Sequence, residues 1–452
     1  MYSSRLSLVI LLVSSVIGSS LLCTSTQQKL IESIDALTVG FNHPIGIELY
    51  NLKTGKTFYS KNSRFLFTPA SNLKLVLGLA ALDTLGENYR FATSLMMDGH
   101  QKKGILQGNV YLKGSGDPSL TSTDIEELLK ILLDQGITTI AGNFCIDQEE
   151  FAVESFAPGF TMDNIGKPWS TLARVLTIDR KALSVKPLYE NDLVSNESLE
   201  ATYFDIHSFI QNLLKNHAIE LKGSLLFQKT PAQSKLLATH YSQELCLLLK
   251  KIMKDSDNLY ADCLLKKLGA QTSKTPGNWH NGRCALQEFL HTRLDIPLEQ
   301  TRIADGSGLS RYNLLSPHHL IKLLVWAHDR PYFNQFLETL SVAGVDGKLI
   351  NRMTAIPGKV KAKTGTLNGI SALSGYLETK EGTVAFSILS NGVIGDAACK
   401  TELEDALCQL LVNYRAQEIN RPGRKLAPTS SKGVRVLHKI THEQKARVTI
   451  SA

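Results

Sequence analysis

Ser71 and Lys74 stand three residues apart in Ser71-Asn72-Leu73-Lys74, the one Ser-x-x-Lys in the chain. They follow Thr68-Pro69-Ala70 and open an apolar run, Leu73 to Leu85, that reads as a buried helix. Residues three apart share a helix face, so the lysine amine can reach the serine hydroxyl. Unpaired N–H groups and positive partial charge at the helix start would sit beside the reacting oxygen. Such a pair makes a serine nucleophile once the amine has shed its proton. Burial and nearby cations achieve that by disfavouring the ammonium form. A capping serine and a solvated lysine are the commoner origin of this tetrapeptide, so the pattern needs company. Two further motifs follow in order. Ser256-Asp257-Asn258 lies between two helical stretches, and Lys363-Thr364-Gly365 lies in a strand-like stretch near the C-terminus.

Ser-x-x-Lys, Ser-Asp-Asn and Lys-Thr-Gly in this order are the signature of class A β-lactamases and penicillin-binding proteins, and the triplet is far more specific than any member. Two decoys compete. Lys53-Thr54-Gly55 separates two alternating runs, Ile45 to Tyr50 and Thr57 to Tyr59, where Gly55 suits a hairpin turn. Ser60-Lys61-Asn62 comes too early, in the loop leading to the serine's helix. The glycine-rich stretches Gly114-Ser-Gly-Asp-Pro118 and Asp305-Gly-Ser-Gly308 lack the lysine or third glycine of a nucleotide fingerprint and read as turns.

The elements that must position these residues fall into two blocks. Residues 27–88 hold a short helix (Lys29 to Leu37), the hairpin and the serine helix, with Gly86 as its stop. Residues 89–232 change character and read as an inserted domain. Its expected strands are Tyr89 to Met97, Ile105 to Leu112, Thr138 to Ile146 and Gly223 to Gln228. Its expected helices are Thr121 to Gln135 and Phe204 to Asn216, with an irregular segment from Phe151 to Lys186. The first block resumes over residues 233–418. Leu236 to Thr239 reads as a strand, followed by helices Gln243 to Met253, Leu259 to Leu268, Arg283 to Leu294 and Pro317 to His328. Three strands (Lys359 to Gly365, Leu373 to Leu377, Val384 to Leu389) and a closing helix, Ala397 to Arg415, complete it. Strand-rich ends around a helical middle predict an α+β fold, an antiparallel sheet covered by helices.

The chain has 452 residues, enough for two or three domains. Residues 1–26 have the layout of a secretory signal peptide: Arg5, an apolar run, then Ser and Gly up to Ser20. An uncleaved anchor is the alternative, because the apolar run continues to Leu22. Lipoprotein processing at Cys23 is disfavoured by Leu22 before it. The protein is therefore expected to be exported and periplasmic. Seven cysteines at 23, 145, 246, 263, 284, 399 and 408 show no metal-ligand spacing, and buried thiols are the default, with one or two disulfides open. The net charge is +7. The tail 419–452 alone supplies eight basic residues and one acid, so the remainder is near neutral. No aromatic interrupts that tail, which argues against a stacking nucleic-acid reader. A flexible appendage is favoured over attraction to a membrane or anionic wall polymer.

On Pro69-Ala-Ser-Asn-Leu-Lys74, Lys254-Asp-Ser-Asp-Asn258 with Ala261-Asp262, Asp305-Gly-Ser-Gly-Leu-Ser-Arg-Tyr-Asn313 and Lys363-Thr-Gly-Thr-Leu367, the chain resembles the class C low-molecular-mass penicillin-binding proteins. These are D-alanyl-D-alanine carboxypeptidases and endopeptidases. The resemblance runs from about Lys29 to Arg415 and includes the large insertion. It implies the penicillin-binding-protein/β-lactamase-like transpeptidase fold. It also implies hydrolysis of peptidoglycan stem peptides through an acyl-enzyme, inhibition by β-lactam antibiotics, and no metal or organic cofactor. Ser71 would be the nucleophile and Lys74 its base. Ser256 would relay a proton, Asn258 would hold the substrate amide, and Lys363 would keep Lys74 neutral and attract the terminal carboxylate. Thr364 and Thr366 would bind that carboxylate, and Gly365 would let substrate lie along the strand. The N–H groups of Ser71 and Thr366 would form the oxyanion hole. Arg311 would bind a second carboxylate, with an ordinary surface arginine equally compatible with the sequence. An acid near Asp163-Asn164 would meet the side-chain amine of the stem peptide; Asp163 is the candidate. A β-lactamase is the nearest rival, disfavoured by the insertion and by the Asp305 to Asn313 stretch. A catalytically silent wall-binding protein is disfavoured by the intact motifs.

Overall fold

The computed structural model describes residues 27–165, 167, 169–170, 172–183, 203–395 and 397–414. The expected signal peptide and the basic tail lie outside these residues. Helix α1 spans residues 27–38. The hairpin β1 (Ile45–Asn51) and β2 (Lys56–Lys61) follows, turning at Gly55 with φ +67°. The early Lys-Thr-Gly is therefore turn chemistry, and Ser60 and Lys61 sit on β2 rather than in a loop. A 3-10 turn, Ala70–Asn72, leads into α2 (Leu73–Leu85). Every residue of α2 from Leu73 to Leu82 is buried. A helix apolar all round must lie inside the fold, and this one does.

The insertion begins with β3 (Ala92–Met97), β4 (His100–Lys102), β5 (Ile105–Gln107), β6 (Val110–Lys113) and α3 (Ser122–Asp134). It continues through β7 (Thr139–Ile140), β8 (Phe144–Asp147), β9 (Thr177–Ile178), β10 (Lys181–Leu183), β11 (Tyr203–Phe204), α4 (Ile206–Asn216), β12 (Glu220–Leu221), β13 (Leu225–Phe227) and β14 (Lys235–Tyr241). Two expected strands are each broken in two. Ile105 to Leu112 divides at Gly108-Asn109 and Thr138 to Ile146 at Gly142, and the halves enter different sheets. Added Cβ atoms at Gly108 and Gly142 would lie 2.3 Å from Asp98 O and 2.4 Å from Gly108 O, so these crossings need glycine. The sheets run β13-β8-β6-β3-β14, β12-β7-β5-β4 and β11-β10-β9. Strand β14 pairs antiparallel with β3 from Lys235 opposite Met97 to Tyr241 opposite Ala92. The strand expected at Leu236 to Thr239 thus pairs with β3 and stands at the edge of the β13-β8-β6-β3-β14 sheet. Alternation in sequence marks a strand but not its partner.

The helical body follows: α5 (Leu245–Lys254), α6 (Asn258–Ser273), α7 (Trp279–Leu294), α8 (Pro317–His328) and α9 (Phe333–Thr339), the last unforeseen in the sequence. Strands β15 (Ser341–Val342), β16 (Val360–Leu367), β17 (Ile370–Thr379), β18 (Gly382–Asn391) and helix α10 (Ala397–Asn413) close the chain. The main sheet has the order β15-β16-β17-β18-β1-β2, so its two ends of sequence meet where β1 pairs antiparallel with β18. The expected α+β architecture is what forms. Helix α2 packs among α5, α6, α7 and α8 in one apolar core that includes Leu75, Leu79, Leu249, Leu264 and Leu324. A second core, with Leu106, Ile125, Leu129, Phe144 and Ile210, fills the insertion. Residues Ile31–Tyr414 form one compact unit. Cys145, Cys246, Cys263, Cys284 and Cys408 are free thiols. Among the described residues no helix is long and apolar enough to cross a membrane.

Candidate active site

Ser71 occupies the 3-10 turn ahead of α2, two residues before the helix that carries Lys74. Ala70 just before it has φ +47°, a left-handed conformation that a side chain resists. The turn is held by its neighbours. Gly308 stands against it: a Cβ there would lie 2.1 Å from Ala70 O, and its own φ is +84°. Asn72, fully buried, donates from Nδ2 to Lys363 O at 3.1 Å and so ties the turn to β16. Gly365 of β16 faces the same turn, and a Cβ there would lie 2.8 Å from Pro69 O. Its smallness therefore serves the packing of the strand on the nucleophile's turn.

Lys74 is completely buried. Its Nζ donates to Ser71 Oγ at 2.9 Å, to Asn258 Oδ1 at 2.7 Å and to Ser307 O at 2.5 Å. Ser71 Oγ also reaches Ser307 O at 3.3 Å. Burial lowers the proton affinity of Lys74 well below the ordinary lysine range, opposed by the carboxylates of Asp262, Asp305 and Asp257. Burial also disfavours charge on Asp262, whose pKa is raised, with Asp305 adding to the effect and Lys74 opposing it. A neutral amine donates to two acceptors and can turn its lone pair on the Ser71 hydroxyl.

The second motif stands opposite. Ser256 is left-handed, φ +62°, and Asn258 is the first residue of α6. Asn258 is engaged at both ends: Oδ1 accepts from Lys74, and Nδ2 donates to Trp169 O at 3.1 Å. One N–H of its amide remains for a further acceptor. Lys363, also completely buried, donates to Ser256 Oγ at 2.9 Å and to Thr364 O at 2.8 Å. Its proton affinity is pushed well down by burial and then by Lys74 and Lys348. The sequence predicts that burial and a nearby cation, Lys363, hold Lys74 neutral. In the structure burial is the leading cause for both amines, and carboxylates support Lys74 but not Lys363. The Lys74 ammonium adds to the repulsion felt at Lys363.

Along β16, Thr364 is half-buried and Thr366 exposed, alternating with Lys363 and Gly365. Strand β15 pairs only with Lys361 and Ala362, so from Lys363 onward the outer edge of β16 has no strand beside it among the described residues. Arg311 is exposed, and its Nη2 donates to Asn368 O at 3.0 Å in the turn after β16. Asp163 is exposed in a 3-10 turn and forms no hydrogen bond or ion pair among the described residues. Its neighbour Asn164 is committed locally, donating to Thr161 Oγ1 at 2.9 Å and accepting from Trp169 Nε1 at 3.1 Å.

Sequence reasoning missed the scaffold behind these groups. Ser307 O meets both Ser71 and Lys74, and a backbone carbonyl leaves no trace in residue type. Its loop is fixed by two acids. Asp262 Oδ1 accepts from Gly306 N and Ser307 N, and Asp305 accepts from Gly308 N, Ser310 N and Asn313 Nδ2. The Asp305 to Asn313 stretch that carried the resemblance was the available signal. The insertion adds a wall, because Ser310 Oγ donates to Pro158 O at 2.5 Å.

A D-alanyl-D-alanine carboxypeptidase of Actinomadura sp. (strain R39) is 28% identical over 454 aligned positions, covering 84% of this chain and 83% of that protein. D-alanyl-D-alanine carboxypeptidase DacB of Haemophilus influenzae is 27% identical over 461, covering 86% and 95%. The crystal structure of penicillin binding protein 4 (dacB) from H. influenzae matches with a TM-score of 0.73 at 26% identity, over 84% of this chain and 99% of that one. Its complex with a novel β-lactam matches with a TM-score of 0.70 at 25% identity, over 85% and 99%. The expected penicillin-binding-protein fold is therefore the one observed. Residues 32–193 and 195–414 match the D-Ala-D-Ala carboxypeptidase 3 (S13) family, and the chain belongs to that family.

Proposed function

We propose that this protein is a serine D-alanyl-D-alanine carboxypeptidase acting on peptidoglycan stem peptides through an acyl-enzyme. The observation that carries the reading is the buried Lys74 amine, 2.9 Å from Ser71 Oγ, with its proton affinity lowered by burial. Ser71 Oγ attacks the carbonyl carbon of the terminal D-alanyl peptide bond, and Lys74 takes the hydroxyl proton. The N–H groups of Ser71 and Thr366 receive the developing oxyanion. The C–N bond then breaks. Ser256, tied to Lys363, relays a proton to the departing D-alanine amine. Water attacks the ester and frees Ser71.

Lys363 and the hydroxyls of Thr364 and Thr366 receive the substrate's terminal carboxylate. That carboxylate restores the ammonium at Lys363, and the new charge disfavours a proton on Lys74. Substrate thereby helps prepare its own base. Asn258 offers its remaining N–H to the substrate amide, and Gly365 keeps β16 against the nucleophile. Arg311 binds a carboxylate further along the stem peptide, and Asp163 its side-chain amine. Among the described residues Asp163 is the acid with no competing bond, whereas Asn164 is already engaged. A β-lactam acylates Ser71 in the same way and leaves slowly, as the complex of the Haemophilus relative encourages. The protein is read as exported to the periplasm by its first 26 residues, with the basic tail a flexible appendage open to weak membrane or wall-polymer contact. The domain reading is a catalytic body from both ends of the chain and one insertion between α2 and α5.

Digestion of purified monomeric and cross-linked muropeptides tests the proposal. Release of D-alanine from monomers by wild type, and none by Ser71→Ala, is the expected result. Cleavage of the cross-linked species would add endopeptidase action, and no release from either would contradict the proposal.

A further inference from the structure

The β9–β10 hairpin of the insertion turns on Asp179 and Arg180, with φ +49° and +65°. Two successive left-handed residues, neither glycine, are uncommon. Such strain persists where the surroundings fix it. Asp179 Oδ1 accepts from Ser122 N at 3.1 Å, and Asp179 N donates to Leu120 O at 3.0 Å. Arg180 points the other way, out of the insertion. Its Nη1 lies 2.8 Å from Asp257 Oδ2, and its guanidinium is 5.9 Å from the centre of the Tyr260 ring.

Asp257 is the middle residue of the Ser-Asp-Asn motif, and its side chain is only 6% exposed. Its second oxygen, Oδ1, caps α6 by accepting from Tyr260 N at 3.2 Å. The carboxylate is thus gripped from one side by its own helix and from the other by the insertion. On either side of it stand the strained Ser256, bonded to Lys363, and Asn258, bonded to Lys74. Trp169 O, also from the insertion, holds the Asn258 amide.

We propose that Arg180 is a positioning residue for acyl transfer: by clamping Asp257 it keeps Ser256 and Asn258 in place against Lys363 and Lys74. This deepens the acyl-transfer reading and rests on it. Arg180 touches no reacting atom and acts through Asp257. A second consequence is electrostatic. The charged groups acting on Lys74 are Asp262 of α6, Asp305 of the loop and Asp257, while Lys363 of β16 feels Lys74 and Lys348. The three carboxylates favour the Lys74 ammonium, and Arg180 offsets one of them. Without Arg180, Lys74 holds its proton to higher pH.

The test uses the full chain as wild type, Arg180→Ala, Arg180→Lys, Asp257→Asn and the Arg180→Ala/Asp257→Asn double variant. The rate of acylation by a fluorescent penicillin, and kcat and KM for D-alanine release, are followed from mildly acidic to alkaline pH. Arg180→Ala is expected to lose about tenfold in acylation at neutral pH, because a buried carboxylate is left unpaired. The loss should fall on kcat, and the acid limb should move up by roughly half a pH unit. Arg180→Lys recovers most of the rate. In the Asp257→Asn background, Arg180→Ala loses little more. An unchanged rate and limb in Arg180→Ala would overturn the proposal. So would an undiminished loss in the Asp257→Asn background, which would mean that Arg180 acts elsewhere. Should Arg180→Ala not fold, Arg180→Gln reads the limb instead, and an unmoved limb counts against the proposal. Wild type that takes penicillin but releases no D-alanine would contradict the carboxypeptidase reading alone. The acylation rates would still decide the role of Arg180.

Discussion

At the scale of single residues, the question is which of two buried amines carries a proton. Lys74 and Lys363 are both fully buried and both depressed, and the carboxylates around Lys74 pull a proton towards it. Catalysis needs Lys74 neutral, so kcat/KM for D-alanine release should rise with pH through its lowered pKa. The acid limb is expected well below the ordinary lysine range, and a limb at the position of a solvated lysine would refute that assignment. Lys363→Met removes the cation that substrate would call up. Acylation by penicillin should fall roughly a hundredfold or more, because a binding charge and the support of Ser256 go together. Stopped-flow acylation at several pH values reads both effects. Ser71, Lys74, Ser256, Asn258 and Lys363 were legible because each belongs to a motif of residue types at fixed spacing. Ser307 was not, since it acts through its carbonyl, nor was Arg180, which reaches the site from a distant hairpin.

Elements meet at the nucleophile's turn through two glycines. Gly308 lies against Ala70 O and has positive φ; Gly365 lies against Pro69 O. Gly308→Ala should cost roughly 2–4 kcal/mol of stability, from a steric clash and a disfavoured backbone together. Urea denaturation measures this, and wild-type stability in the variant would mean that the loop does not brace the turn. Helices were the most legible elements. Pro317 to His328 was read with the ends it has, because Ser316 caps it, a proline opens it and apolar residues repeat along it. Strands of the insertion were the least legible. Alternation continues through Gly108 and Gly142, while the backbone crosses there from one sheet to another. Helix α9, seven residues long, is too short for a helical period to show.

For the whole molecule, the main sheet joins the two ends of the sequence. That plan was legible from strand-rich ends and a helical middle, but the membership of β14 was not, because pairing is decided in space. The C-terminal helix is locked on by a buried ion network. Arg352 meets Glu404 at 2.7 Å and Asp405 at 2.5 Å, and Ser371 of β17 donates to Glu404 at 2.7 Å. Arg352→Ala leaves Glu404 buried and unpaired, and should cost about 3–5 kcal/mol. Thermal unfolding should show a lowered Tm, and an unchanged Tm would show that the network carries no stability. The central claim is that a serine at position 71 becomes reactive through a neutral lysine three residues on. Peptide mapping after labelling the folded protein with a fluorescent penicillin tests it most directly. A single stable adduct on Ser71, lost in both Ser71→Ala and Lys74→Met, is the predicted result; no adduct, or one on another residue, would contradict it.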